Sequence, residues 1–470
     1  MTARKVWPVL RSTARTLSHL TECHGACIRG PACHGRAAGN YGTLHPGRNP
    51  AAEDSETLDQ GRQQKGSVCV FYHFYKPDDV VSAVHFSDLC EGLARRGWDV
   101  TMMTSNRLCR YKGAISPKVE SLEGVEVKRC WRPGFSQSSN VLRIVNSLWI
   151  QAAWLLRFRR MPKPDRIIVG TDPQFSQLML PLLRRLAPRA RIFFWSFDMY
   201  PEAVLAESSN AIVVTIARML YRLMPRLYRP VDVMVDIGPC MRSLLRMHNK
   251  TASYVTLVPW ALSEPDFGIP VNREVRARMF GEEAALGVLY SGNLGMAHEY
   301  REFLELARML RQRAPQIVFA FSSRGNRMGE FLAELTPEDT NIRILPFASL
   351  EELEDRLNAA DIHLLSLKPK WDGIVVPSKF FGSLAAGKPV VYAGSAGSCI
   401  GQWIQRYGLG LLLDSEQIAQ TADRLVEYSK NPGALGDWQN AAYQTYQEHF
   451  SRDRVIDGWD ASLIGETTAA

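Results

Sequence analysis

The stretch VCVFYHFYKPDDVVSAVHFSDLCEGLARRGWDVTMM, residues 68–103, decides the fold. Val68–Tyr72 is a short apolar run, the pattern of a strand buried on both faces. A loop follows, and then Phe86, Leu89, Cys90 and Leu93 recur at helical spacing, so that one face of a helix is buried. Gly97 stops that helix, and Val100–Met103 reads as the next strand. A right-handed crossover makes the two strands parallel. Outward from this unit the pattern repeats, with strands predicted at Ile167–Val169, Ile192–Trp195, Val231–Val235 and Val255–Val258. Residues 66–262 therefore read as one doubly wound, Rossmann-like domain. Residues 263–283 are polar, contain Pro265 and Pro270, and read as a linker with a short helix. A second series follows over 284–430. Its strands are predicted at Val288–Tyr290, Ile317–Phe321, Ile342–Leu345, Ile362–Leu365, Val390–Tyr392 and Gly410–Leu413, and its helices include Glu302–Arg313 and Leu350–Ala359. The fold class is α/β: two doubly wound domains facing each other across a cleft. Residues 431–470 read as helices whose aromatic residues, Trp438, Tyr443, Tyr446, Phe450 and Trp459, pack back on the first domain.

A chain of 470 residues is too long for one ordinary core, and 46% hydrophobic with 22% charged residues is a globular composition. The net charge of +8 points to anionic partners. The nine cysteines are scattered, mostly at hydrophobic positions, which reads as a reducing compartment without a disulfide framework. Residues 1–65 differ from the rest: they are rich in Arg, Gly, Ala and His and show no periodicity, so they read as a disordered N-terminal extension. The first twenty carry four basic residues and no acidic one, somewhat like a transit peptide. Cys23, His24, Cys27, Cys33 and His34 lack the paired, regular spacing of a zinc module. No apolar run is long enough to span a bilayer. Leu142–Arg160 and Arg218–Arg229 are nonetheless amphipathic and basic, and with Arg184, Arg185, Arg189 and Arg191 they suit either an anionic membrane surface or ordinary helices with snorkelling arginines.

In open α/β sheets the ligand crevice lies beyond the carboxyl ends of the strands, and three turns of the second domain stand out there. In Tyr290-Ser-Gly-Asn-Leu-Gly-Met-Ala-His-Glu299, Gly292 and Gly295 let backbone approach a ligand, and a helix N-terminus that can receive phosphate follows. In Ser322-Ser-Arg-Gly-Asn326, Arg324 is placed to fork onto a diphosphate. In the third, Trp371–Val391, Pro377, Ser378 and Lys379 stand at a helix start, where Ser caps and Lys adds charge; Asp372 precedes them on a loop where a carboxylate can accept sugar hydroxyls.

These segments, GNLGMAHE (292–299), AADIHLLSL (359–367) and VPSKFFGSLAAGKP (376–389), resemble the signatures of the glycosyl transferases group 1 (family 4), retaining enzymes of the GT-B fold. The similarity is closest to a branch that serves surface-polysaccharide and capsule assembly. In the first domain SAVHFSDLCEGLARRGWDVTMMT (82–104), GTDPQF (170–175) and FDMYPEAV (197–204) also resemble that family, so the resemblance covers about residues 66–460. It implies a nucleoside-diphosphate sugar as donor substrate, with no cofactor, and a glycan or polyprenyl-linked acceptor. Gly292, Asn293, Gly295, Arg324, Ser378 and Lys379 would then bind the donor, and Asp372 would hold its sugar hydroxyls. His85 and Asp198 would orient or deprotonate the acceptor hydroxyl, with His73 a weaker candidate. The sequence contains no Asp-x-Asp pair, so a metal-independent hexosyltransferase is expected, its leaving group neutralised by cations and helix dipoles. The resemblance implies a cytoplasmic location, with peripheral contact at the inner membrane face. Departures from the family pattern are Met296, where some members carry a basic residue, and the ribose-binding carboxylate: Gly382 stands where many members carry a Glu, as it does in the resembled branch, and the stretch Gly394–Ile400, where that branch often has a Glu, holds no carboxylate. The alternatives are a sugar-nucleotide epimerase, for which only Asp372 offers acid–base chemistry at the sugar, and a catalytically silent scaffold. Nucleic-acid binding lacks a reader motif.

Overall fold

The computed structural model describes residues 65–466 except 79, 110–114, 136–139 and 415. The readings of residues 1–64, the Cys/His cluster included, lie outside the described residues. Among the described residues, fourteen strands form two sheets. The first holds β1 (Gly66–Phe71), β2 (Trp98–Ser105), β3 (Val119–Leu122), β4 (Val125–Cys130), β5 (Arg166–Gly170), β6 (Arg191–Trp195), β7 (Val233–Asp236) and β8 (Ser253–Thr256), in the order β3-β4-β2-β1-β5-β6-β7-β8. The second holds β9 (Leu286–Asn293), β10 (Ile317–Arg324), β11 (Ile342–Leu345), β12 (Ile362–Ser366), β13 (Val390–Ala393) and β14 (Gly410–Leu413), in the order β11-β10-β9-β12-β13-β14. We call the two sheets with their helices the first and second lobes.

Val68 pairs with Val100 and Val70 with Met102 in parallel register, which places the quoted apolar runs side by side at the sheet centre. Helix Val81–Arg95 crosses between them, burying Phe86, Leu89, Cys90 and Leu93. In each sheet the strand order reverses once, between β1 and β5 and between β9 and β12. The crossovers diverge at these points and leave a crevice at the strands' carboxyl ends. Tyr72–Phe74 and Thr171–Asp172 border the first crevice; Asn293–Gly295 and Ser366–Leu367 border the second.

Three expectations change. First, the sheet of the first lobe carries a hairpin, β3–β4, that the sequence does not announce; β3 runs antiparallel to β4. Both strands are short, and β3 at the sheet edge is half exposed, so its hydrophobic signal is weak. The Glu123-Gly124 turn is the legible clue, since both residues take positive φ (48° and 80°), as a two-residue hairpin demands. Second, Cys240 and Cys399 are joined in a disulfide. They are 159 residues apart, and sequence spacing says nothing of a pair that the fold brings to a Cα–Cα distance of 5.7 Å. Third, the C-terminal segment divides. Phe450 packs with Phe380, Phe381 and Trp403, and Trp438 against Tyr428, all of the second lobe. After a π-type turn at Tyr446–Phe450, helix Arg452–Ile464 returns to the first lobe. There Trp459 meets Trp195 edge-on at 5.1 Å, Asp457 pairs with Arg96, and Asp460 accepts hydrogen bonds from Lys65 and Trp98. An aromatic tail signals docking, but its composition does not say that two surfaces share it.

Candidate functional site

The donor-side rim is built at the ends of β9 and β10. Asn293 and Arg324 are register partners as the strands finish, and Leu294 N–H donates to the Arg324 carbonyl at 2.6 Å. Gly292 takes φ 122°, which a side chain would strain, and its missing Cβ faces the Lys379 stem at 3.5 Å. Lys379 opens helix Lys379–Ala385 and points back across the rim. Its ammonium donates to the Tyr290 hydroxyl at 2.7 Å and the Asn293 carbonyl at 3.2 Å, and sits 4.0 Å from the Tyr290 ring centre. Burial pushes its pKa down to about 7, so the unliganded site holds a cation that gives up its proton easily. Gly295 abuts the Asn293 amide, and the Arg324 guanidinium lies 3.9 Å over the Phe347 ring. Thus Gly292, Asn293, Gly295, Arg324 and Lys379 come together.

Ser378 stands just before the Lys379 helix but does not cap it. Its backbone is already helical (φ −62°, ψ −22°), whereas a capping hydroxyl needs extended backbone to reach the second or third amide. The expected cap is therefore absent, and the side chain is exposed at the cleft.

Behind the rim lies a network that the sequence reading does not anticipate. His298 donates from Nδ1 to the Ser366 carbonyl at 2.6 Å, while Ser366 Oγ accepts the Glu299 N–H. Buried Arg327 pairs with Glu299 at 3.2 Å and donates to the His298 carbonyl at 2.6 Å. Burial, with Lys379 nearby, holds the His298 pKa down at about 3, so this histidine is a neutral buttress. His298 and Glu299 were visible in the GNLGMAHE motif; Arg327 carried no sequence signal.

Across the cleft a hollow of about 460 Å³ is lined by first-lobe residues, including Tyr72, His85, Arg143, Asp172 and Asp198, together with Val376 and Ser378 of the second lobe. His85 is buried. Its Nε2 lies 2.8 Å from the Trp260 carbonyl, which assigns the proton to that nitrogen and leaves Nδ1 without a partner, a free acceptor. Desolvation lowers its pKa, so it is neutral. The Asp198 side chain is open to solvent within the hollow yet deep in protein. Desolvation and then the neighbouring Asp172 raise its pKa to about 6. His73 lies buried beside Asp172 at 3.3 Å. Asp372 belongs to neither group among the described contacts. Burial raises its pKa, with Ser395 as hydrogen-bond partner, and its Oδ1 is buried without one. The structure thus gathers five predicted donor residues at one rim, sets His85, Asp198 and Ser378 around the hollow, and leaves Asp372 outside both groups among the described contacts.

Residues 82–261 match the family model of the glycosyl transferase 4-like domain. The Pseudomonas aeruginosa protein named Probable glycosyltransferase WbjE is 26% identical over 310 residues, 63% of this chain and 74% of its own length. Sucrose-phosphate synthase from Thermosynechococcus elongatus superposes with a TM-score of 0.64 at 14% identity, covering 84% of this chain and 98% of that one. Anabaena HepE, in a crystal with UDP and glucose, gives 0.59 at 11% identity over 85% and 99%. An α,α-trehalose-phosphate synthase (UDP-forming) from Burkholderia vietnamiensis gives 0.57 at 14% over 84% and 98%. The fold is GT-B, and the family match and the Pseudomonas relative support a glycosyltransferase of that type.

Proposed function

We propose that this chain is a retaining glycosyltransferase that moves a hexosyl unit from a nucleoside-diphosphate sugar to a glycan or polyprenyl-linked acceptor in surface-polysaccharide synthesis, at the cytoplasmic membrane face. The observation that carries the reading is Lys379, a desolvated cation held over a glycine-lined strand end, next in the chain to Ser378, which lines the hollow that also contains Asp198. The donor diphosphate lies on the rim. As the anomeric C–O bond breaks, Lys379 and Arg324 take up the charge that grows on the departing diphosphate, without a metal ion. The acceptor hydroxyl enters from the hollow on the same face of the sugar and forms the new C–O bond. His85 Nδ1 orients it, and ionised Asp198 accepts its proton. HepE binds UDP and glucose in its crystal, which makes UDP-hexoses the first donors to test.

The test is incubation with UDP-, GDP-, dTDP- and ADP-hexoses, following release of the free diphosphate. One donor is expected to turn over. Its rate should rise with pH through about 6, because Asp198 accepts a proton only once ionised. In Asp198→Asn that limb disappears and kcat drops by about 10²–10⁴-fold. If no donor turns over at any pH, the silent scaffold becomes the better reading. The observation favouring that alternative is that neither Gly382 nor the stretch Gly394–Ile400 offers a carboxylate for a ribose.

No helix among the described residues is long and apolar enough to cross a membrane. The proposed membrane contact is instead a surface one. Helix Ala211–Tyr228 exposes Ile212, Ile216 and Met219 beside Arg218, Arg222 and Arg226, and helix Asn140–Arg159 exposes Val141, Val145, Leu148 and Trp149. Each arginine near an anionic surface contributes about 1 kcal/mol. The protein should pellet with phosphatidylglycerol vesicles in low salt and not with phosphatidylcholine, and Ile216→Glu/Met219→Glu should release it. Recovery in the supernatant with both lipids would remove this part of the reading.

A further inference from the structure

We propose that Cys240 and Cys399 form a redox-operated clasp that controls whether the two lobes can separate. Cys240 sits in the first turn of helix Pro239–His248, which follows β7 of the first lobe; Cys399 begins helix Cys399–Tyr407, which follows β13 of the second. The bridge therefore runs from lobe to lobe. The packing is shaped around it: a side chain at Gly238 would stand 2.5 Å from the Cys399 sulfur. The same edge carries reversible ties. Met199 N–H donates to the Ile374 carbonyl at 3.0 Å, Lys370 pairs with Glu207 at 2.8 Å, and Trp371 donates to the same carboxylate. Hydrogen bonds and ion pairs of this kind open and close freely, whereas a covalent bond does not. The segment so pinned, residues 370–374, leads directly to Lys379.

The chemistry favours a reversible bond. Both sulfurs lie at helix N-termini, where the dipole and free amides stabilise thiolate and make a cysteine a good leaving group. Cys399 is buried at 2% exposure, and Cys240 is only partly covered. A dithiol reductant therefore attacks the Cys240 sulfur as thiolate, forming a mixed disulfide and expelling the Cys399 thiolate. The reductant's second thiol then displaces Cys240. Two electrons and two protons pass to the protein's sulfurs, and the reductant leaves as its own disulfide. On the transferase reading, which this inference extends, lobes tied shut exchange donor and product slowly, and reduction restores turnover.

The experiment uses the full chain, oxidised with glutathione disulfide or reduced with dithiothreitol. Peptide mapping should find Cys240 linked to Cys399 only in the oxidised sample. Amide hydrogen exchange in Pro239–His248 and Cys399–Tyr407 should quicken about tenfold on reduction, and turnover of the active donor should rise by a similar factor. Cys240→Ser should behave as reduced protein in both buffers. Free thiols at 240 and 399 after oxidation, or exchange that ignores the redox state, would overturn the clasp. Redox-dependent exchange with no donor turnover in either state would keep the clasp and sink the transferase reading instead.

Discussion

Lys379→Ala weakens binding of the cognate nucleoside diphosphate about a hundredfold or more, and does so without lowering the melting temperature of the free protein. The first part follows from the rim geometry. The ammonium is held between the Tyr290 hydroxyl and the Asn293 carbonyl, two neutral acceptors, and no described carboxylate neutralises it. A diphosphate is the partner it lacks, and truncating one member of a desolvated charge pair costs about 2–5 kcal/mol. The second part follows from desolvation. A lysine whose pKa has fallen to about 7 is one the fold disfavours as a cation, so removing it relieves the unliganded protein. The pH dependence has a definite sign. Below about pH 7 the site holds its charge, and above it the free site is neutral. Wild-type affinity should therefore weaken as pH rises from 7 to 9, and Lys379→Ala should be flat over that range. Calorimetric titration with the nucleotide at three pH values measures both. A variant that binds as wild type, or a wild type indifferent to pH, would take the diphosphate away from this rim.

Trp459→Ala should destabilise the first lobe by about 3–5 kcal/mol, the cost of emptying a buried indole site. Trp459 is fully buried on Trp195 and Phe193, and its helix is pressed so closely on the lobe that a Cβ at Gly92 would stand 2.8 Å from Ile456. Arg96→Ala, which removes the partly exposed pair with Asp457 and a hydrogen bond to the Gly92 carbonyl within its own helix, should cost about 1 kcal/mol. Amide exchange over Arg191–Trp195 reads the difference. An acceleration of about a hundredfold to a few thousandfold is expected for the tryptophan variant, since every 1.4 kcal/mol is tenfold, and a few-fold at most for the arginine one. Equal effects would mean that the tail is held by its charges.

How much of this was legible beforehand follows from the physics of each element. Strands buried on both faces, such as Val68–Phe71 and Ile362–Leu365, announce themselves as unbroken apolar runs. The edge strand β3 buries little and is nearly silent. The rim was legible because turn chemistry is local: Gly292, Gly295 and Lys379 are needed where the backbone must turn sharply or a helix must begin. Whatever depends on distant partners was not legible. Arg327 braces Glu299 from 28 positions away, the tautomer of His85 is set by the carbonyl of Trp260, and Cys240 finds Cys399 only after both lobes exist. The failed cap at Ser378 makes the same point at short range. A serine before a helix caps only if its own backbone is extended, and no residue type reports its ψ.

The return of helix Arg452–Ile464 to the first lobe also sets an order in time. A ribosome finishes β8 at Thr256, but Trp195 and Phe193 await a tryptophan about two hundred residues further on. At elongation rates of about 5–20 residues per second, that interval is roughly 10–40 s. Throughout it the nascent first lobe presents an aromatic surface with no cover, long enough for a chaperone to bind or for neighbouring chains on one message to stick together. Chains cut short before Trp459 would keep that surface for good, and so would be marked for proteolysis however complete their two sheets.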